Sequence, residues 1–402
     1  VIERPMKTDT AATEIPDIAE LQSLARHEHA LTWEMPDGRI VIRPVLNLSV
    51  FFANGYSPEG RENIAKCFDY FMERWGEHIR GKQFGDGKYA RAKAENFGGW
   101  RSKILTLGPT YQLGAQVSSE PTKDIAAEYK LSVLTSSSVR EQSFGEISHL
   151  RARLPWKALI TSDDLHQFLA LVRFICGTLS VKHGYGGLSL ALPYDFDRML
   201  SFEYQLAQQF SGLMIDTYGF SGIGEFKNEY IKGVDWLTIV GDDLAQKLGG
   251  RDAIRAQLQQ PAIHVEDYDG GLIVQAGDYP SLGAVEDGLP PLYVAVNRVL
   301  KPLRIPAPDS LHHHMPDRES FDQDHTAKWY ARFDVPPTDA IQEPEHRARG
   351  LPGEDVPETG LWWTPALEGS GVERPFTKGE RFPAIEYTSY GAVIWYLRPE
   401  SS

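Results

Sequence analysis

Between Arg39 and Ile79 the hydrophobic period of this chain changes once, and that change limits the fold more than any other feature. Leu46, Leu48, Val50 and Phe52 alternate with Asn47, Ser49 and Phe51, which is the two-residue period of a strand. Asn54-Gly55 then turns the chain, and Ser57-Pro58 supplies a helix cap followed by proline at the first helical position. From there Ile64, Cys67, Phe68, Phe71, Met72, Trp75 and Ile79 recur at helical spacing, so 58–80 is predicted as an amphipathic helix closed by the Gly-rich loop 81–87. The order returns further on. Strand-like segments at Tyr129–Thr135 and Glu146–Leu154 precede a helix that starts at Thr161, with Asp163 and Asp164 in its first turn. Its stripe is Leu165, Phe168, Leu169, Val172, Ile175, Cys176 and Leu179; Gly184–Gly187 is read as a break, after which Leu188, Leu190 and Leu192 alternate. A helix with one apolar face must bury it against another layer. Two strand–helix–strand units, at 39–118 and 129–193, therefore predict an α+β fold, a mixed or antiparallel sheet with amphipathic helices packed on it. An old duplication and two ordinary units both fit this pattern.

The remaining elements follow from local signals. A strand is predicted within Lys103–Val117, a helix at Met199–Met214, and a buried strand at Val234–Val240. Gly241 turns that strand into a short helix, Asp242–Leu248, which Gly249-Gly250 ends. Strands near Ala262–Tyr268 and Leu272–Gln275 surround Asp269-Gly270-Gly271 as a hairpin. Three regions result: an N-terminal arm over 1–30 with a helical patch at Ile18–Leu24, an α+β domain over 31–300, and a small loop-rich lobe over 301–402. The lobe holds 13 of the 26 prolines, which punctuate it into short strands such as Tyr390–Leu397. Trp362, Trp363, Trp395 and Tyr396 read as its aromatic core, and so many aromatics predict that the lobe packs against the first domain.

A hydrophobic content of 42% with 24% charged residues is that of a globular chain. No apolar run approaches the roughly 20 residues that span a bilayer, and the polar start VIERPMKTDTAATEIPD lacks a signal-peptide core; a cytoplasmic protein without membrane contact is expected. Cys67 and Cys176 each fall on an apolar helix face and read as buried free thiols. The net charge of −14 argues against direct nucleic-acid binding, because phosphate contacts need Lys and Arg. From Ala256 to Asn297 there is no Lys or Arg at all, while Glu266, Asp267, Asp269, Asp278, Glu286 and Asp287 fall there. Such a span reads either as a solubilising surface or as the complement of a basic partner.

Catalytic constellations are sparse. His312-His313-His314 with Asp322, Asp324 and His325 could hold zinc or iron. Three adjacent histidines cannot all face one ion from a regular element, however, so no native metal site is expected, and no cofactor. Asp195 and Asp197 in YDFD suit a strand end as well as a carboxylate pair. GKQFGDG follows a helix and lacks the GKS or GKT ending of a phosphate loop. Neither a nucleophile elbow nor a dinucleotide fingerprint is present in the sequence, and no enzyme activity is expected.

One block carries a family likeness. GVDWLTIVGDDLAQKLGG at Gly233–Gly250, within the stretch that starts at Asn228, resembles the late conserved block of the type VI secretion immunity family, proteins that neutralise a sister toxin injected between bacteria. GLSLALPYDFD, with Leu188–Leu192 and Tyr194–Asp197, resembles the block that precedes it, and the likeness covers about residues 30–300. The pattern GLWWTPA, FTKGERFP and YGAVIW is similar to a tail found at toxin–immunity loci. The resemblance implies a non-enzymatic binding protein that blocks a cognate effector, often a nuclease. A basic, nuclease-like toxin domain is then the expected partner, and the acidic residues from Glu266 to Asp287 the expected contact. A metal-dependent enzyme built on 312–325 and a structural adaptor of the secretion machinery are the rival readings.

Overall fold

A computed structural model of the protein describes residues 15–85, 87–92, 98–193, 199–215, 229–312 and 318–335, together with five strand segments between 359 and 399. The chain divides into two compact units, one ending at Val335 and one running Pro336–Ser402. In the first unit the elements run α1 (Ala19–His27), β1 (Trp33–Glu34), β2 (Ile40–Phe52), α2 (Pro58–Trp75), β3 (Gly81–Phe84), β4 (Ala90–Arg91), α3 (Gly98–Thr106), β5 (Gly114–Ser118), β6 (Lys130–Leu134), α4 (Ser138–Phe144) and β7 (Ser148–Pro155). There follow α5 (Ser162–Thr178), β8 (Val181–Ala191), α6 (Leu200–Gln209), β9 (Leu237–Gly241), α7 (Asp242–Gln246), α8 (Arg251–Gln257), β10 (Ile263–Tyr268), β11 (Gly271–Ala276), α9 (Pro291–Leu300) and α10 (Gln323–Tyr330). All eleven strands join one antiparallel sheet in the order β10-β11-β9-β8-β2-β7-β6-β5-β3-β4, with β1 on the side of β2. The α+β reading is met.

β2 is the spine of that sheet, with β7 and β8 on its two sides. Its even-numbered residues Leu46, Leu48 and Val50 are buried in the same core as the stripes of α2 and α5. Local signals start both helices as expected: Ser57 Oγ accepts from Gly60 N at 2.9 Å, and Thr161 Oγ1 accepts from Asp164 N at 3.1 Å. The odd-numbered face carries the polar Asn47 and Ser49 between Val45 and Phe51, and all four are buried, because later segments cover it. Ser189 Oγ donates to Met214 O at 2.7 Å, and Lys232 N donates to Tyr185 Oη at 2.6 Å. These two buried polar groups are thus satisfied by the chain that buries them.

Three expectations are corrected. Gly184–Gly187 does not break the chain but lies inside β8, where a Cβ on Gly184 would come within 2.7 Å of Ser49 O and one on Gly186 within 3.0 Å of Leu237. The first part of Lys103–Val117 is the end of α3, and only Gly114–Ser118 is strand; a short apolar run carries no period of its own, and α3 is placed by packing on α2, with Trp100 edge-on to Phe68 at 4.6 Å. The boundary expected at 301 falls within the first unit. Ile231 N donates to Leu303 O at 2.8 Å, Ile305 N donates to Ile231 O at 2.9 Å, and Leu311, Phe321 and Phe333 join the core. Proline density there marks loops rather than a domain edge.

The second unit contains a three-stranded sheet, with β12 (Thr359–Thr364) between β13 (Val372–Thr377) and β16 (Tyr396–Pro399), and a hairpin of β14 (Ile385–Thr388) and β15 (Gly391–Ile394). Trp395, and the packing expected of Trp362, Trp363 and Tyr396, lie outside the described residues, as do residues 1–14 of the arm.

Candidate functional site

The site grows from the corner where β9 gives way to α7. Trp236 is fully buried, with Nε1 donating to Gly277 O at 2.8 Å, and Leu237, Ile239 and Val240 fill the core behind it. Gly241 is required by approach rather than by conformation, since a Cβ there would stand 2.6 Å from Lys182 O. The close approach brings the start of α7 beside the start of β8, and Lys182 Nζ meets Asp243 Oδ2 at 2.6 Å. Asp242 is held on the other side by Arg251, whose Nε and Nη2 reach its two oxygens at 2.7 Å each. That fork holds the Asp242 carboxyl below the usual range and pushes Arg251 up.

In front of the corner lies an open groove of about 610 Å³. Glu59, Asn63 and Lys66 form one wall from the polar face of α2, the end of α5 closes another, and Asp242, Asp243 and Asp269 come from α7 and the β10–β11 turn. Asp269 and Glu59 are both exposed, and neither carboxylate has an ion-pair partner among the described residues. The groove therefore presents net negative charge to solvent, flanked by fixed backbone.

The six carboxylates expected to act together do not share this groove; only Asp269 lines it. Strand alternation sends Glu266 and Asp267 to opposite sides of β10. Glu266 accepts from Arg173 Nε at 2.8 Å, and Asp267 is held by Arg251 at 3.2 Å and Arg255 at 2.7 Å. Asp278 meets His264 Nε2 at 2.8 Å. Glu286 meets His27 Nε2 at 2.8 Å, and Ser23 Oγ donates to Asp287 at 3.3 Å, so both are tied to α1. The span is free of cations along the chain but supplied with them in space. Glu59 and Asp243 were missed by sequence reasoning; the one available signal was the polar i, i+4, i+7 stripe Glu59, Asn63, Lys66 opposite the core stripe of α2.

The metal reading finds no support among the described residues, where no group of three or more His, Cys, Asp or Glu could hold an ion. His312 is buried beneath the surface with Nε2 2.9 Å from Glu203 Oε2, and its Nδ1 accepts from Phe321 N at 3.2 Å. Asp322 is spent as the N-cap of α10, accepting from His325 N at 2.8 Å. His313, His314, Asp195 and Asp197 lie outside the described residues. Cys67 and Cys176 are free and buried, and burial pushes both thiols up, away from nucleophilic use. No helix among the described residues is long and apolar enough to cross a membrane.

Comparison with known proteins places this geometry. The chain is similar to a solved structure of the Pseudomonas aeruginosa T6SS protein PA0821, with 25% identity and a TM-score of 0.71 over 79% of this chain and 91% of that one. No curated protein matches the chain. The family model TsiV, type VI immunity for VRR-NUC, matches residues 63–333, ending two residues short of the close of the first compact unit. The corner at Gly233–Gly250 and the lining of the groove apart from Glu59 lie within that match, and the chain belongs to the TsiV family of type VI immunity proteins for VRR-NUC.

Proposed function

We propose that this protein binds and blocks one VRR-NUC nuclease effector without itself catalysing a reaction, and that the acidic groove at the α2–α7 corner is a principal contact. The observation that carries this reading is the family match over residues 63–333. The groove adds a physical means: a nuclease needs cationic surface to hold its polyanionic substrate, and the exposed carboxylates of Glu59 and Asp269 can compete for that surface and speed encounter. Glu266, Asp267, Asp278, Glu286 and Asp287 contribute mainly by fixing β10 and α1, because each already has a partner. Inhibition is steric and electrostatic, and it takes place in the cytoplasm, where the nuclease finds nucleic acid.

Coexpression of the protein with the nuclease domain of the effector encoded beside it tests this. Cells should survive, and the two chains should co-purify as a complex. Rescue without a complex would show instead that the protein modifies the toxin or repairs its damage.

A further inference from the structure

We propose that the nuclease contact extends past the groove, across the start of α2, onto an apolar patch in which Tyr111 is the anchoring side chain; this rests on the binding role proposed above. Tyr111 is 64% exposed, Val139 54%, Phe144 58% and Leu134 45%. Single exposed apolar residues are ordinary, but these four come from two segments stitched to each other. Ser138 N donates to Pro109 O at 2.9 Å, and Leu113 N donates to Thr135 Oγ1 at 2.9 Å. α4 between them buries none of its residues, yet it is capped at both ends, by Ser137 at the start and by Gly145 with φ 61° at the close. It is a helix held in place with its apolar residues facing outward.

The loop that carries Tyr111 is fixed from below. Arg61 is 1% exposed, with Nη1 donating to Thr135 Oγ1 at 3.0 Å and Nη2 to Tyr111 O at 2.9 Å. Its Nε has no hydrogen-bond partner among the described residues. A buried guanidinium with neutral acceptors costs stability, and burial lowers its pKa to about 10. What the arrangement secures is a fixed backbone at Tyr111, whose ring lies over Gly108, 3.5 Å from where a Cβ would stand. A rigid, amphipathic, exposed tyrosine loses little entropy when covered, which is the profile of an interface hot spot.

The groove identifies the occupant. Glu59 of the groove wall and Arg61 beneath the patch both belong to the first turn of α2, Glu59 on its exposed side and Arg61 on its buried side. The loop before that turn is joined to α4, with Asn54 N donating to Glu141 Oε1 at 2.7 Å and Gln142 Nε2 to Tyr56 Oη at 3.1 Å. A cationic nuclease drawn to Glu59 and Asp269 is thereby brought over Tyr111. Carboxylates steer, and the tyrosine holds.

The test measures binding of the full chain to a catalytically inactivated VRR-NUC domain from the neighbouring effector, with Tyr111→Ala, Val139→Asp and, as a control on another surface, Leu289→Asp. Tyr111→Ala and Val139→Asp should each speed dissociation by about tenfold or more with the association rate nearly kept, while the control and all melting temperatures stay unchanged. Wild-type capture with both variants unaltered overturns the inference alone. So does a loss of affinity matched by a lower melting temperature of the free protein, which would mean that the chain itself covers the patch. A shift from dimer to monomer in the free variants overturns it too, by assigning the patch to a second copy. Failure of the wild type to capture the nuclease overturns both this inference and the function on which it rests.

Discussion

His312 Nε2 lies 2.9 Å from Glu203 Oε2 with both side chains fully buried, joining the segment before α10 to α6. The proton position follows from the neighbours. Phe321 N donates to Nδ1, so Nδ1 accepts and Nε2 carries the hydrogen directed at the carboxylate. A histidine held by its own chain at both nitrogens has none left for a metal ion. Replacing Glu203 leaves the neutral Nε2–H of His312 buried and unpaired, so Glu203→Leu should cost about 1–3 kcal/mol, read as a lower denaturation midpoint. Chelator should leave the wild-type midpoint where it was, and stoichiometric metal in the purified protein would restore the enzymatic alternative.

Groove charge and β10 charge should separate in experiment. Glu59→Lys with Asp269→Lys changes two exposed carboxylates that lack ion-pair partners among the described residues; nuclease association should slow and lose salt dependence, with the fold intact. Glu266→Lys with Asp267→Lys instead confronts Arg173, Arg251 and Arg255 with new positive charge. Thermal stability should fall there more than the association rate does. Stopped-flow rates at two salt concentrations, beside melting curves, decide the matter.

Gly241→Ala should destabilise the protein by about 1–3 kcal/mol. The added methyl would stand 2.6 Å from a backbone oxygen that no rotamer change can move. Chemical denaturation measures the loss. A neutral result would mean that the β8–β9 approach relaxes freely.

Asp334 sets part of the acid limit of the fold. Arg304 donates to both of its oxygens, at 2.7 and 2.6 Å, and Lys301 and Asn297 add contacts at 2.9 Å each. The Arg304 guanidinium first, and then its other donors, hold the carboxyl well below the usual carboxylate range. The unfolded chain therefore binds a proton at higher pH than the native one. The stabilisation is present above the unfolded carboxyl pKa of about 3.9 and is lost as pH falls toward the native value. Asp334→Asn should flatten the fall of stability below about pH 4, as seen in denaturation midpoints collected across that range.

What the sequence determined by itself was everything that depends on neighbours within about seven residues. The period change at Ser57-Pro58 sets β2 and α2, Thr161 sets α5, and Asp269-Gly270-Gly271 sets the β10–β11 hairpin, because caps, turns and stripes act along the chain. The family block was legible too, since its residues lie in one run from Gly233 to Gly250. What only the tertiary structure decided was the company of each charge. Glu266 meets Arg173, Asp267 meets Arg251 and Arg255, and Glu286 meets His27, partners between 12 and 259 residues away. A cation-free span in sequence thus became a largely paired one in space, and the exposed negative charge moved to Glu59 and Asp269, which no local pattern joins. Strand order places distant segments side by side, and Coulomb interactions depend on that spatial distance rather than on separation along the chain.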